Sequence, residues 1–228
     1  MLDKPRRARA IRDLPAIICE LPNYDPHLLA GDSVFNEKLA KRAIKFIETE
    51  LYHSKGAKAR TPFLLERWQK AIVANLFGWV RPDGTRRYRE AFIFVGRKNG
   101  KTPLAAAIIT YLLFEDGEPG SEIYGAASEY KQASLVFSHV HGFIRQNPKL
   151  AERCKVYQGQ AKAVQLDSDY STYRVASSDP GSLHGANSAA YVVDEVHALR
   201  DSELVDVLET SVGARRQPLG VLISTSDY

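Results

Sequence analysis

Phe92-Ile93-Phe94-Val95-Gly96-Arg97-Lys98-Asn99-Gly100-Lys101-Thr102 is the stretch on which the fold turns. An apolar strand pattern runs into a short polar loop, and the loop closes on Gly-Lys-Thr ahead of a helical pattern. Such a loop holds the phosphates of a nucleoside triphosphate, because its N–H groups and those of the helix start face the anion. Lys101 reaches the β/γ-phosphates, and the Thr102 hydroxyl sits on Mg²⁺. The nucleotide-binding candidates are therefore Gly96, Arg97, Lys98, Asn99, Gly100, Lys101 and Thr102. The standard spacing places a glycine where this chain has Val95, so the loop is a deviant one. Pro103 is tolerated because it falls in the first helical turn.

Outward from this loop, strand and helix patterns alternate. Residues 90–95 read as a strand, 102–114 as a helix and 123–127 as a strand. Ser128 is an expected N-cap for a helix to about Gln146. Residues 153–158, 162–166 and 172–176 read as short strands forming an antiparallel excursion. An apolar strand at 189–193, a helix at 201–211 and a strand at 219–224 follow. This order predicts a mainly parallel sheet flanked by helices. Upstream, residues 36–53 read as an amphipathic helix. Pro62 is expected to open a second helix through Leu76, with Leu65, Trp68, Ile72 and Leu76 on its apolar stripe. Lys4, Arg6, Arg7, Arg9 and Arg12 form a basic arm, read as a solvated tail with a nucleic-acid contact as the alternative.

Tyr191-Val192-Val193-Asp194-Glu195 is the second chemical signal, an apolar strand ending in two acids. Successive side chains on a strand point oppositely, so the two acids can serve different tasks. Asp194 would join Thr102 at Mg²⁺, and Glu195 would polarise the attacking water as general base. Val221-Leu222-Ile223-Ser224-Thr225-Ser226 is a third strand ending in hydroxyls. In P-loop ATPases with a catalytic Glu, a strand inserted between the loop strand and the acid strand carries γ-phosphate sensors. Ser224 and Thr225 are the candidates for that coupling role. Gln69 stands where helicase-like ATPases place a glutamine that reads the adenine edge; a surface glutamine is the alternative. His197 is open between orienting Glu195, orienting the γ-phosphate and a structural role.

Composition bounds the rest. A chain of 228 residues with 44% apolar and 25% charged residues can bury a sizeable core. No stretch approaches the roughly 20 apolar residues of a membrane span, and the charged N-terminus does not read as a signal peptide. The two cysteines, Cys19 and Cys154, lack metal-ligand spacing and read as free thiols. The net charge of +4 hints at a polyanionic partner.

Taken together, the motifs resemble the ATPase domain of the large terminase subunit of tailed bacteriophages, over about residues 60–228. Gly96 to Thr102 is similar to that family's deviant Walker A loop, and Val192-Val193-Asp194-Glu195-Val196-His197 to its Walker B segment with catalytic Glu. Ser224-Thr225-Ser226 resembles its coupling motif, Phe63 to Gln69 its adenine-binding segment, and Ser182-Leu183-His184-Gly185-Ala186-Asn187 a Gly-Asn loop of many members. The resemblance implies a P-loop NTPase of the additional-strand, catalytic-Glu type. An N-terminal basic arm and helical appendage would occupy residues 1–60, and the ATPase core residues 61–228. Arg97, as the loop arginine, would join Glu195 and Lys101 in catalysis.

The implied activity is ATP hydrolysis with Mg²⁺, driving double-stranded DNA into a procapsid in the host cytoplasm. The implied partners are DNA, a portal protein and a small terminase subunit, with a homo-oligomeric ring on the portal, a monomer in isolation and no membrane. The family's C-terminal nuclease domain and its lid are expected to be missing, the chain being read as a fragment ending at Tyr228. An arginine supplied in trans is also implied, with Arg145, Arg153, Arg215 and Arg216 as exposed-looking candidates. The alternatives are a helicase-like P-loop ATPase, or a nucleotide- or DNA-binding module with weak or no hydrolysis. Arg81, Arg86, Arg87 and Arg89 read as a solvated hairpin, or as a contact to DNA or a neighbouring subunit. His139 and His141 do not share a helix face, which argues against a metal site.

Overall fold

The sheet that carries the phosphate loop has seven strands in the order β3-β9-β8-β4-β7-β6-β5. These are β3 (Glu90–Phe94), β4 (Glu122–Ala127), β5 (Cys154–Tyr157), β6 (Ala163–Leu166), β7 (Thr172–Val175), β8 (Ser188–Asp194) and β9 (Leu219–Ser224). The structure is a computed structural model and describes residues 13–176, 180–183 and 185–225, apart from the side chains of 180 and 182. The basic arm, His184 and Ser226 lie outside the described residues. The chain forms two compact units, Met1–Arg87 and Tyr88–Tyr228.

In the second unit, β9 lies between β3 and β8 and pairs parallel with both. The last strand in sequence is thus inserted between the loop strand and the acid strand, which is the additional-strand arrangement. Its register places Ser224 beside Phe94, and Ile223 beside Asp194. All three chemical segments therefore emerge at one end of neighbouring strands. The excursion β5-β6-β7 is antiparallel within itself and returns to the sheet when β7 pairs parallel with β4.

Helices pack on the central strands β4 and β8, which like β9 are buried on both faces, whereas edge strand β3 leaves Phe92 and Phe94 exposed. β8 is buried from Ser188 to Asp194, as expected of a strand inside a parallel sheet. Tyr191 and Val193 pack in a cluster with Tyr124, Ala126 and Leu204 and Leu208 of α7 (Glu203–Ser211). The helices α4 (Lys101–Phe114) and α5 (Tyr130–Gln146) pack on each other and on β4, β7 and β8. From Leu104 to Phe114 every residue of α4 is buried, as its apolar sequence on all sides requires. The expected N-cap at Ser128 is corrected: Glu129 occupies that position, with no side-chain cap bond.

The first unit contains α1 (Leu14–Ile17), α2 (Glu37–Glu50) and α3 (Arg67–Gly78), with a two-stranded sheet of β1 (Val34–Phe35) and β2 (Trp79–Val80). The division expected at residue 60 falls between α2 and α3, which pack against each other within this unit. Pro62 does not open α3. It bridges Tyr52 in an antiparallel pairing, and the Phe63 N–H donates to Leu51 O at 2.8 Å. Those bonds tie Pro62 and Phe63 back to Tyr52 and Leu51, and the helix begins only at Arg67. Its buried face accordingly runs through Gln69, Val73, Leu76 and Phe77, leaving Trp68 and Ile72 half-buried rather than in the core.

The solvated-hairpin reading is corrected for Arg86 and Arg87, while Arg89 is exposed. Arg86 is 5% exposed and lies over the Phe77 ring at 5.2 Å. Arg87 lies over Trp79 at 4.9 Å and donates to Pro26 O at 2.5 Å and Leu28 O at 3.0 Å. Each guanidinium covers an aromatic ring, and that of Arg87 also serves two backbone carbonyls, so these two arginines fasten the first unit.

Candidate nucleotide-binding site

The phosphate loop leaves β3 at Val95, whose N–H donates to Ser224 O at 3.2 Å. It then folds back on itself: Asn99 Nδ2 donates to Gly96 O at 3.0 Å and to Arg97 O at 3.4 Å. A Cβ at position 96 would lie 3.2 Å from Asn99 Nδ2, so glycine leaves room for that closure. Lys98 (φ 64°) and Gly100 (φ 76°) are both left-handed, which curls the backbone toward an anion-binding nest. Gly100 is the N-cap of α4 and supplies no side-chain cap. The first-turn N–H groups of α4 are thereby left to an anion, with the positive end of the helix dipole behind them. Arg97, Lys98 and Asn99 are exposed along the loop.

Opposite the loop stand the two acids. Asp194 is fully buried at the end of β8, and Thr102 Oγ1 donates to its Oδ2 at 3.3 Å. Burial raises the Asp194 carboxyl above the usual carboxylate range. Lys101 opposes that rise, Glu195 adds to it, and the Thr102 hydroxyl and the Glu195 N–H oppose it. A buried carboxylate converging with a hydroxyl is the hard-oxygen set Mg²⁺ prefers, and a cation there would favour the ionised form.

Lys101 reaches between the acids, with its Nζ 3.8 Å from Asp194 Oδ1 and ion-paired with Glu195 Oε1. The ammonium is buried, with these two carboxylates as its charged neighbours. A phosphate oxygen would compete with Glu195 for this ammonium. Glu195 adopts a left-handed backbone (φ 58°, ψ 48°), which costs a non-glycine residue roughly 1–2 kcal/mol. The conformation is held by the Glu195 N–H on Asp194 Oδ1 at 3.0 Å and by Ala198 N–H on Glu195 O at 2.8 Å. Ser224 and Thr225, 3% and 4% exposed, complete the floor, with Thr225 Oγ1 donating to Glu195 Oε2 at 3.2 Å.

The second unit thus brings together the loop, Lys101, Thr102, Asp194, Glu195, Ser224 and Thr225. Gln69 belongs to the first unit, where it is buried and its Oε1 accepts the Glu66 N–H at 2.9 Å. It is not the surface glutamine weighed as the alternative. His197, left open by the sequence, lies in the short 3₁₀ turn Val196–Ala198 and touches both Glu195 and Ser224. Its signal was the spacing Asp194-Glu195-Val196-His197, which returns the imidazole to the acid pair within one tight turn.

Two of the trans-arginine candidates are tied down by their own chain. Arg215 is half-buried, donating to Asn187 O at 3.0 Å and to Gly120 O at 2.9 Å. Arg153, though exposed, donates to Phe114 O at 3.0 Å and lies over the Phe114 ring at 5.2 Å. Among the described residues no group of three or more His, Cys, Asp or Glu side chains is placed to hold a metal ion, and no helix is long and apolar enough to cross a membrane.

A parallel sheet whose inserted strand separates a Gly-Lys-Thr loop from an Asp-Glu strand end defines an additional-strand P-loop NTPase. The family model described as terminase large subunit, ATPase domain, matches residues 67–228, and the chain belongs to that family. It is 28% identical over 188 residues to the terminase large subunit of Enterobacteria phage HK97, covering 81% of this chain and 36% of that protein. A terminase large subunit of Lactococcus phage p2 is 24% identical over 161 residues, covering 68% of this chain and 30% of its own length. The crystal structure of the HK97 large terminase superposes with a TM-score of 0.70 at 27% identity, over 81% of this chain and 37% of that one. The ATPase domain of the Thermus phage P74-26 large terminase shares the fold, with a TM-score of 0.50 at 21% identity over 62% of each chain. The chain spans about a third of the length of these curated relatives.

Proposed function

We propose that this chain is an ATP-hydrolysing motor domain that drives double-stranded viral DNA into a procapsid. The observation that carries the reading is Lys101, whose buried ammonium is ion-paired with Glu195 and lies 3.8 Å from Asp194 Oδ1. Family membership supports the substrate and the direction of the chemistry.

Lys101 and Arg97 would hold the phosphates of ATP, with the N–H groups from Gly96 to Thr102 around them. Mg²⁺, held by Thr102 and Asp194, would neutralise charge on the β- and γ-phosphates. As the γ-phosphate enters, Lys101 exchanges Glu195 Oε1 for a phosphate oxygen. The freed carboxylate oxygen then takes a proton from the attacking water. The water oxygen bonds to the γ-phosphorus while the bond to the β-phosphate oxygen breaks, leaving ADP and phosphate. Ser224 and Thr225, at the tip of the inserted strand, register the change. Gln69 would read the adenine edge.

DNA would be gripped through backbone phosphates, making binding salt-dependent and indifferent to sequence. The setting would be the host cytoplasm, with a portal protein and a small terminase subunit as partners. The motor would be a ring of copies assembled on the portal from monomers.

The test is ATP turnover and DNA packaging by the intact encoded protein with portal-bearing procapsids. Lys101→Ala is expected to abolish both. Unchanged turnover in that variant would overturn the reading, and stimulation by single-stranded DNA alone would favour the helicase-like alternative.

A further inference from the structure

Ser224 is the last residue of β9 and joins two parts of the site. Its carbonyl accepts the Val95 N–H at 3.2 Å, just ahead of the phosphate loop. Its hydroxyl lies 3.0 Å from His197 Nδ1, and the same nitrogen lies 3.4 Å from Glu195 Oε2. That carboxylate oxygen also accepts the Thr225 hydroxyl at 3.2 Å. Two successive residues of the inserted strand and its end thus reach one oxygen of Glu195, Thr225 directly and Ser224 by way of the imidazole.

The chemistry of these atoms favours one tautomer. An ionised carboxylate only accepts hydrogen bonds, and a nitrogen lone pair aimed at it would be repelled. With the proton on Nδ1, the imidazole would donate to Ser224 Oγ at 3.0 Å and turn its N–H side to Glu195 Oε2, 3.4 Å away. The 3₁₀ turn Val196–Ala198 keeps the imidazole at this junction, closed by the Ala198 N–H on Glu195 O at 2.8 Å. A surface histidine serving only to end a strand would not need a contact to each of two strand tips.

We propose that His197 is a positioning residue that ties the Glu195 carboxylate to the tip of β9 through Ser224, so that the water-activating group and the coupling strand move together. The inference rests on Glu195 being the general base. It adds the physical link by which strand position sets the placement of the base, and by which a change at the base reaches the strand. In a water-activating site small displacements matter, because a group misplaced by about 1 Å can lose on the order of a hundredfold in rate.

The experiment measures steady-state ATP turnover, and base pairs packaged per ATP, in the intact encoded protein carrying His197→Ala, His197→Asn, His197→Gln or Ser224→Ala. Asparagine can place its amide near the site of Nδ1, whereas the longer glutamine reaches toward Nε2. His197→Ala and His197→Gln are expected to lower kcat about ten- to a hundredfold, with KM for ATP within about twofold of the parent. His197→Asn is expected to restore most of kcat, and the alanine variant to package fewer base pairs per ATP. Ser224→Ala added to His197→Ala should cost little more, since residues acting through one link are not additive.

Unchanged kcat in His197→Ala would overturn the proposal. So would equal loss in Asn and Gln, or a loss confined to KM. The Asn–Gln comparison keeps the test valid should the alanine variant fail to fold. Full turnover in Glu195→Gln would overturn the whole site reading and this inference with it. An inactive Glu195→Gln beside a silent His197 series would overturn this inference alone.

Discussion

Replacing Gly220 by alanine would drive a methyl group into Tyr191. The two residues are register partners on β9 and β8, and a Cβ at Gly220 falls 2.3 Å from both Cζ and Oη of Tyr191 and 2.8 Å from Cε2. Carbon atoms rest about 3.5–4.0 Å apart, so the ring would have to retreat by more than an ångström. Tyr191 is 2% exposed and packed with Val193, Leu204 and Leu208, which leaves a rigid ring little room to swing. Overpacking of this kind typically costs about 1–3 kcal/mol. For a chain of this size each kcal/mol lowers Tm by about 2–4 °C, giving an expected fall of about 2–12 °C. Calorimetry on the parent, on Gly220→Ala, on Tyr191→Leu and on the double variant measures it. The double variant should lose less than the sum of the singles by at least about 0.5 kcal/mol, because the leucine vacates the contested space. A Tm unchanged in Gly220→Ala, or strictly additive losses, would refute the register that inserts β9 beside β8.

Asp194→Asn is expected to raise the unfolding midpoint in metal- and nucleotide-free buffer while removing ATP turnover. Burial disfavours the ionised carboxyl there more than Lys101 and the hydrogen bonds favour it, so a neutral isostere removes a net penalty; a lowered midpoint would contradict this. The two thiols should differ in reactivity. Cys154 is half-buried against Leu150 O, and burial pushes its thiol up to about 11, so it stays protonated at pH 8. Exposed Cys19 should be alkylated by iodoacetamide well before it, as read by peptide mass spectrometry, and equal rates would sink the prediction.

The sheet was legible because its strands are short apolar runs bounded by turn residues, and each expected strand lies within two residues of the one observed. Placing the 219–224 strand between the other two required the motif resemblance, since periodicity says nothing of which strands are neighbours. The first helix pair was less legible. Pro62 looks like a helix start in sequence, but its pairing with Tyr52 is a tertiary contact that local propensity does not encode. The same applies to Arg86 and Arg87, whose charge suggests solvent until the aromatic rings beneath them and the carbonyls that Arg87 reaches are placed. In the site, residue types and spacing pointed to Lys101, Thr102, Asp194 and Glu195. The Lys101–Glu195 pairing and the shared contacts of His197 depend on a left-handed Glu195, which nothing in the sequence announces.

The most direct test of the account is Glu195→Gln in the intact encoded protein, with ATP affinity and ATP turnover measured side by side. The account predicts that nucleotide still binds, because the loop and Lys101 are untouched, while turnover falls about 10²–10⁴-fold with loss of the general base. Turnover within a few-fold of the parent, with binding intact, would contradict it.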